Sequence, residues 1–264
     1  MSDIGPETIR QAVLENYTKV AQRGGGGCGP EAVGCCGGGA VSISNQIGYS
    51  EDELASVPEG ADMGLGCGNP QAIAALKLGE TVLDLGSGGG FDCFLAARQV
   101  GVTGRVIGVD MTPEMIRKAR ANATKANVAN VEFRLGEIEH LPIADSSVDA
   151  IISNCVINLS PDKAAVFRDA FRVLKPGGRL AIADIVATAA LPEDARKDLA
   201  LISGCVGGAA PIDEIETFLR EAGFRDIRIQ PKDSSREFIR EWAPGRRAED
   251  YVVSATIEAV KPSP

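Results

Sequence analysis

Hydrophobic positions between residues 69 and 188 alternate between two spacings. Short runs rich in Val, Ile and Leu are separated by longer stretches in which apolar residues recur every three or four positions. This alternation is typical of strands that take turns with amphipathic helices, and it predicts a parallel sheet with helices on both faces. The predicted strands are Thr81–Leu85, Arg105–Asp110, Val131–Leu135, Val148–Ser153 and Arg179–Val186. The predicted helices between them are Phe91–Val100, Pro113–Asn127 and Pro161–Leu174.

Capping residues followed by proline locate the starts of several helices. An Asn, Thr or Ser before a proline supplies an N-cap and a residue suited to the first helical position, and such pairs occur at 69–70, 112–113 and 160–161. The first pair predicts a further helix that runs through Leu76. The sequence Lys-Pro-Gly-Gly at 175–178 predicts a turn between the preceding helix and the fifth strand.

The first 68 residues have a different composition. Apolar residues at helical spacing predict an amphipathic helix from Glu7 to Arg23. Residues 24–39 are then mostly glycine, interrupted by Cys28, Cys35 and Cys36. Such a segment is typical of a flexible linker, but linkers seldom carry three thiols. A plain linker and a functional thiol segment are therefore both open for this region.

The last 76 residues predict additions to the sheet. A helix is predicted at Ile212–Ala222, followed by strands at Ile227–Gln230 and Tyr251–Ala259. The stretch Leu191–Gly208 is the expected place for a lid or a substrate-side insertion. We therefore expect an N-terminal helix with a Gly/Cys-rich segment (1–68), a doubly wound α/β domain (69–188), and a C-terminal segment (189–264) that contains the lid and the last two strands.

Composition and charge exclude several functional classes. The chain has 264 residues, 44% of them hydrophobic, but aromatic residues make up only 5% and the net charge is −9. Few aromatics and an acidic surface argue against nucleic acid as a partner. No apolar run approaches the roughly 18 residues that span a bilayer, and the first residues lack a signal-peptide pattern. We expect a cytoplasmic monomer without a membrane partner, in which seven cysteines remain free thiols.

A glycine-rich turn follows the first predicted strand. The sequence from Val82 to Phe91 reads as a strand, a turn through Gly86, Ser87 and Gly88, and a helix start. Glycines let a ligand approach the backbone, and a helix N-terminus offers free N–H groups. Phe91 stands where the dinucleotide fingerprint has its third glycine, so an NAD enzyme is the weaker interpretation.

Acidic residues end the neighbouring strands. Asp84 would repel a pyrophosphate but suits an ammonium group, Asp110 ends the second strand where it can hold ribose hydroxyls, and Glu137 follows the third strand beside the expected adenine. The simpler alternative is that Asp84 and Asp110 cap turns. The whole set resembles the Rossmann-like class I methyltransferases that use S-adenosylmethionine. That resemblance implies further cofactor contacts from Met111, Ile138 and Asn154.

Three cysteines lie at junctions instead of inside strands or helices. Cys67 precedes a predicted helix, Cys155 follows the fourth strand, and Cys205 lies on the expected lid. Three interpretations are open: packed small side chains, a structural zinc site without the usual paired spacing, or a thiolate site for a soft ion such as As(III). The helix start after Cys67 is expected to lower the pKa of its thiol. His140 is expected on the surface and not as a general base.

Several motifs resemble the arsenite methyltransferases. They are the sequences at 48–50, 57–61, 65–70, 153–159 and 204–209, which include Leu-Gly-Cys-Gly-Asn-Pro and Ser-Asn-Cys-Val-Ile-Asn-Leu. The resemblance extends from about Tyr49 to the end of the chain. It matches three of that family's four functional cysteines to Cys67, Cys155 and Cys205. The fourth falls in the region of Cys28, Cys35 and Cys36, nearest to the Cys35–Cys36 pair, whereas Cys93 is expected to be structural.

The resemblance implies a reaction and its partners. As(III), bound by Cys67, Cys155 and Cys205, would receive a methyl group from S-adenosylmethionine through the arsenic lone pair, and repeated rounds would convert arsenite to mono-, di- or trimethylated arsenicals for detoxification. Methylarsenite would also be a substrate. Thioredoxin or glutathione would reset the oxidised thiols, with the Cys35–Cys36 region as an exchange partner. The alternative is a methyltransferase for a small molecule resembling a quinone or sterol.

Overall fold

The computed structural model describes residues 4–23, 44–242 and 244–263. Within these ranges, seven strands form one sheet in the order β3-β2-β1-β4-β5-β7-β6. Strands β1 to β5 are parallel to one another, and β7 is antiparallel to both β5 and β6. The strands are β1 Thr81–Leu85, β2 Arg105–Asp110, β3 Val131–Leu135, β4 Val148–Asn154, β5 Leu174–Ala187, β6 Arg225–Lys232 and β7 Val252–Val260. The predicted doubly wound α/β fold is therefore confirmed.

Helices cover both faces of this sheet. They are α1 Pro6–Arg23, α2 Glu51–Ala55, α3 Gln71–Ala74, α4 Phe91–Val100, α5 Pro113–Lys125, α6 Lys163–Val173, α7 Glu193–Arg196, α8 Leu199–Ser203, α9 Ile212–Ala222 and α10 Arg236–Trp242. Two apolar clusters fill the layers between helices and sheet, one centred on Phe167 and Leu219 and the other on Phe94 and Ile116. Burial of these side chains, at about 1.5–3 kcal/mol each, fixes the strand ends on which the site is built.

One helix end and one helix start differ from the prediction. The helix predicted from Asn69 through Leu76 spans only Gln71–Ala74, because Ala75 adopts a left-handed conformation (φ 45°). Helix α6 begins at Lys163 and not at Pro161, because the Asp162 carboxylate accepts the N–H of Ala165 and serves as the cap.

Strand β5 begins earlier than predicted. The Lys-Pro-Gly-Gly sequence at 175–178, predicted as a turn, belongs to this strand. Gly177 donates its N–H to the carbonyl of Lys261, and Lys261 donates back to the carbonyl of Gly178. Gly177 has a positive φ of 80°, and the pairing of β5 with β4 shifts register between Leu174 and Arg179, so the predicted turn lies as an irregularity inside β5 and not before it.

The C-terminal segment is part of the same sheet. Strand β7 lies between β5 and β6, so the predicted boundary at residue 188 falls inside one continuous sheet. The segment 191–208 carries the short helices α7 and α8, and its buried residues Leu201 and Cys205 share an apolar cluster with Val13 of α1. In the part of the chain that the structure describes, none of the helices combines the length and apolar character needed to cross a membrane.

Candidate active site

A cavity opens at the carboxyl ends of β1, β2 and β4. Strand order reverses between β1 and β4, and such switch points are where doubly wound sheets bind ligands. The cavity is lined by the glycine loop, by acidic residues, by Cys155 and by one face of α1. Its lining includes Arg10, Val13, Tyr17, Tyr49, Asp84, Gly86, Ser87, Gly88, Asp92, Asp110, Met111, Ile138, Glu139, Asn154, Cys155 and Ser160.

The glycine loop offers unfilled hydrogen-bonding capacity to this cavity. The Ser87 hydroxyl is buried without a hydrogen-bond partner, and a Cβ added at Gly88 (φ 49°) would meet no atom within 4 Å. The Gly88 N–H reaches a carboxylate oxygen of Asp110 at 3.0 Å, and the other oxygen accepts the N–H of Thr112 at 2.8 Å. An orphaned hydroxyl beside an open backbone is the pattern that a polar ligand would complete, so these residues fit S-adenosylmethionine.

Two buried carboxylates lie at one end of the cavity. Asp84 is 2% exposed and accepts from the Cys93 thiol, and Asp92 is 7% exposed and accepts from the Tyr49 hydroxyl at 2.8 Å. Burial raises the pKa of Asp84 well above its ordinary value and raises the pKa of Asp92 to about 6, and the charge of Asp92 raises the pKa of Asp84 further. A bound cation would relieve this penalty, so this end of the cavity suits an ammonium group.

Helix α1 forms the roof of the cavity, which the sequence did not indicate. Arg10, Val13 and Tyr17 lie three and four positions apart and therefore share the helix face that lines it. The Arg10 guanidinium lies 3.8 Å from carboxylate oxygens of Glu137 and Glu139, in the loop after β3. The helical spacing of these residues is visible in the sequence. What the helix face packs against is decided by the fold and could not be predicted from that spacing.

Three thiols from distant segments lie together next to the cavity. Cys67, Cys155 and Cys205 are 1%, 3% and 0% exposed and belong to one cluster. The Cys155 thiol interacts with both other thiols, and the Cys205 thiol donates to the carbonyl of Cys155 at 2.9 Å. The structure thus brings together the three cysteines that the sequence singled out.

Backbone strain accompanies two of these thiols. Cys155 and Cys205 adopt positive φ angles of 60° and 65°, a conformation that costs non-glycine residues about 1–2 kcal/mol each. Residues held in such conformations cluster at functional sites, where the surrounding structure maintains the strain. The two strained residues follow β4 and α8, and the Cys205 thiol reaches the Cys155 carbonyl between them.

Close approach of backbone positions the third thiol. A Cβ at Gly66 would lie 2.6 Å from the Asn154 amide, and one at Gly68 would lie 2.8 Å from Ala183, so only glycine fits on either side of Cys67. The Asn154 side chain accepts the Cys67 N–H at 3.0 Å and donates to the Gly68 carbonyl at 2.8 Å. Asn154 therefore connects the Cys67 loop with the cavity that it also lines.

Burial, and not a helix dipole, sets the pKa of the Cys67 and Cys155 thiols. Burial raises the pKa of the Cys67 thiol to about 11 and raises the pKa of Cys155 well above its ordinary value. The prediction that a helix N-terminus lowers the pKa of Cys67 was wrong, because the following helix has four residues and desolvation dominates.

One acidic residue near the thiols was missed. Asp184 is 1% exposed, and one of its carboxylate oxygens, the Cys67 sulfur and the Cys155 sulfur all lie within 4.8 Å of one another. Burial raises the pKa of Asp184 to about 6, and the nearby Lys163 ammonium opposes that shift. In the sequence, Asp184 is a single polar residue within an apolar strand. Such a position is the one indication that its carboxylate has a buried partner.

The remaining predicted residues are distributed as follows. Glu137 is exposed and does not line the cavity, whereas Met111 and Ile138 do. His140 is exposed, as predicted. Cys93 is buried below the cavity. The predictions for Cys28, Cys35 and Cys36 lie outside the described residues.

The sequence is similar to a methyltransferase family model and to arsenite methyltransferases. Residues 76–223 match a family model described as a methyltransferase domain. The arsenite methyltransferase of Halobacterium salinarum is 54% identical over 270 residues, which cover 100% of this chain and 69% of that protein. The arsenite methyltransferase of Aquipseudomonas alcaligenes is 46% identical over 229 residues, which cover 84% of this chain and 63% of that protein.

A solved structure shares both fold and sequence with this chain. The arsenic(III) S-adenosylmethionine methyltransferase from Chlamydomonas reinhardtii superimposes with a TM-score of 0.62 and 30% identity, covering 84% of this chain and 74% of that one. Of the arsenite methyltransferases from Halobacterium salinarum and Aquipseudomonas alcaligenes, this chain spans about two thirds of the length. The alternative of an acceptor resembling a quinone or sterol is not favoured by these similarities.

Proposed function

The chain belongs to the arsenite methyltransferase family, and we propose that it transfers methyl groups from S-adenosylmethionine to trivalent arsenic. The observation that carries this proposal is the position of Cys155. Its side chain lines the same cavity as Asp84 and Asp110, and its thiol also contacts Cys67 and Cys205. One residue therefore joins a cavity suited to the methyl donor with a cluster suited to a soft ion.

The donor half of the cavity has groups for each part of S-adenosylmethionine. Asp84 and Asp92 would hold the ammonium group, Ser87 and Gly88 would meet the donor along the loop, and Asp110 would hold the ribose. Ile138 would contact the adenine, with Glu137 as a further candidate from the same loop. When bound, S-adenosylmethionine supplies an electrophilic methyl group on a sulfonium centre.

The thiol cluster would present arsenic to that methyl group. Cys67, Cys155 and Cys205 would exchange for the three hydroxyls of arsenite, each thiol proton leaving with a hydroxyl as water. Three sulfur ligands leave the arsenic lone pair free, so the reaction needs no general base, consistent with the exposed position of His140. Burial of the cluster excludes water from the reacting atoms.

A thiol reductant completes the proposed cycle. Each transfer raises arsenic formally to As(V), and two thiols return it to As(III) by giving up two electrons and forming one disulfide. Thioredoxin or glutathione would reduce that disulfide by thiol exchange. Cys35 and Cys36 remain the proposed N-terminal contributors to this step, and methylarsenite the proposed second substrate.

A direct assay tests the proposal. The protein is incubated with arsenite, S-adenosylmethionine and a thiol reductant, and the arsenic species are separated by chromatography and quantified by mass spectrometry. We expect mono- and dimethylated arsenic from the wild type. Cys155→Ser and Cys205→Ser should lose methylation of both arsenite and methylarsenite by at least 100-fold, because either change breaks the thiolate site.

Donor binding provides the control. Cys205→Ser should bind S-adenosylhomocysteine within about threefold of the wild-type affinity, since Cys205 is not among the residues that line the donor cavity. Full activity in either variant would contradict the assignment of the thiols. Absence of methylated arsenic from the wild type would contradict the function itself.

A further inference from the structure

Two of the clustered thiols share a carboxylate neighbour that arsenic does not require. One ligand atom each from Cys67, Cys155 and Asp184 lies within 4.8 Å of the others, and all three residues are buried. As(III) selects soft sulfur, so the carboxylate is a poor ligand for it. Thiolate sulfur and carboxylate oxygen are both ligands that a borderline divalent cation such as Zn²⁺ accepts.

The dimensions of this cluster match such an ion. With Zn–S bonds of about 2.3 Å and Zn–O bonds of about 2.0–2.2 Å, tetrahedral ligands lie about 3.6–3.8 Å apart. The three groups are already within 4.8 Å of one another, so small side-chain movements would complete the geometry. The Cys205 thiol, which donates to the carbonyl of Cys155, is not part of the group of ligand atoms that all lie within 4.8 Å of one another.

Existing hydrogen bonds hold the carboxylate for this role. Asp184 accepts from the backbone N–H of Ile157 at 2.8 Å through one oxygen, and from the Asn158 amide and its neighbour Ile185 through the other. Carboxylates that bind metals are commonly oriented by such bonds. The backbone of Val156 is a further hydrogen-bond partner of Asp184, so a metal would displace one of the present donors from the carboxylate.

The local charges also balance with a divalent cation. Zn²⁺ with two thiolates and one carboxylate carries a net charge of −1. Lys163, which interacts electrostatically with Asp184 and Cys205, supplies one positive charge. Binding would release the two thiol protons to the solvent.

From this arrangement we propose that Cys67, Cys155 and Asp184 form a binding site for Zn²⁺ or a similar thiophilic divalent cation, which competes with arsenite for the two thiols. It is a site assembled by the fold from three distant segments, unlike the local cysteine clusters of structural zinc modules. The fourth position is open to water or substrate. Zinc would therefore be a reversible inhibitor that leaves the donor half of the cavity free.

Zinc and arsenic binding can be separated by two variants. The full chain is used in a background with Cys28, Cys35 and Cys36 changed to Ser, which removes the N-terminal thiols. Zn²⁺ affinity is measured by competition with a chromophoric chelator, and arsenite binding by equilibrium dialysis, both without methyl donor. Asp184→Asn should weaken Zn²⁺ at least tenfold and arsenite less than threefold. Cys205→Ser should show the reverse, with arsenite weakened at least tenfold.

The identity of the atoms that bind Zn²⁺ can be measured without relying on the folding of the Asp184 and Cys205 variants. X-ray absorption of the Zn²⁺-loaded background protein should show two sulfur and two oxygen neighbours. Three sulfurs, or no sulfur, would overturn the proposal, as would equal loss of both ligands in Asp184→Asn. These experiments need no turnover, so a protein that binds zinc here without methylating arsenic would contradict the proposed function alone.

Discussion

The chemistry of single residues in this protein is governed by desolvation. Cys67 lies on a loop flanked by glycines, an environment that suggests an exposed and reactive thiol, yet it is 1% exposed. Burial raises its pKa to about 11, with only partial relief from the neighbouring Cys155. A thiol in this state is inert toward most electrophiles, and it becomes a ligand when arsenic or a metal replaces its proton.

This protonation state predicts a specific pH dependence of alkylation. Only the thiolate reacts, and a pKa of about 11 against an ordinary 9.0 lowers the thiolate fraction near pH 8 about 100-fold. The alkylation rate of Cys67 should rise about tenfold per pH unit from pH 8 to 10. Peptide mass spectrometry after treatment with iodoacetamide measures it, with glutathione as the reference thiol and circular dichroism to confirm folding. A midpoint at or below pH 9 would contradict the assignment.

Individual elements of this fold are predictable where the chain marks both of their ends. Strands β1, β2 and β3 begin and end where predicted, because glycine or acidic residues bound each apolar run. The end of α3 and the start of α6 were predicted wrongly, since a left-handed Ala75 ends the former and Asp162 caps the latter. Pairing with Lys261 likewise extends β5 through its glycines, and such pairing is a property of the assembled sheet.

Residues of the candidate site were likewise predictable only where the local sequence marks them. The glycine loop, Asp84 and Asp110 were found from sequence because each follows a recognisable strand. Asp92, Tyr49 and Asp184 were missed because their roles arise from neighbours at least 21 residues away or on adjacent strands. Convergence of thiols 50 or more residues apart depends on strand order, which local patterns do not encode.

Helix α1 illustrates how an element with an ordinary pattern gains a role from its position. Its inner face lines the cavity, and Arg10 lies near Glu137 and Glu139 of the loop after β3. We expect Arg10→Ala to raise the KM for S-adenosylmethionine about five- to tenfold, because the roof loses its ionic contact, while kcat changes less than twofold. Initial rates over a range of donor concentrations give both constants.

An exposed residue on the same helix is the matched control. Lys19→Ala also removes one positive charge from α1, but Lys19 faces solvent, so KM should remain within about 1.5-fold of the wild type. If Arg10→Ala and Lys19→Ala raise the KM equally, the increase is caused by the lost helix charge and not by a change in the roof of the cavity.

At the scale of the whole molecule, the thiol cluster exists only in the folded protein. Cys67 lies before α3, Cys155 after β4 and Cys205 after α8, and Ser254 of β7 donates to the Cys67 carbonyl at 2.7 Å. The loop that carries Cys67 is therefore hydrogen-bonded to the last strand of the sheet beside the thiol cluster. A ligand that bridges all three thiols should stabilise the entire fold.

Arsenite should accordingly raise the melting temperature. At a ligand concentration of 100 times the Kd, the stabilisation is about 2.7 kcal/mol, or roughly 5–10 °C for a domain of this size. Cys205→Ser should lose most of this shift because one bridge is gone, whereas Cys93→Ala, which alters a buried thiol outside the cluster, should retain it even if its baseline is lower. Differential scanning calorimetry with and without arsenite, in a buffer containing no other thiol, measures both. A Cys205→Ser variant that keeps the full shift would show that arsenite stabilises the protein through other groups.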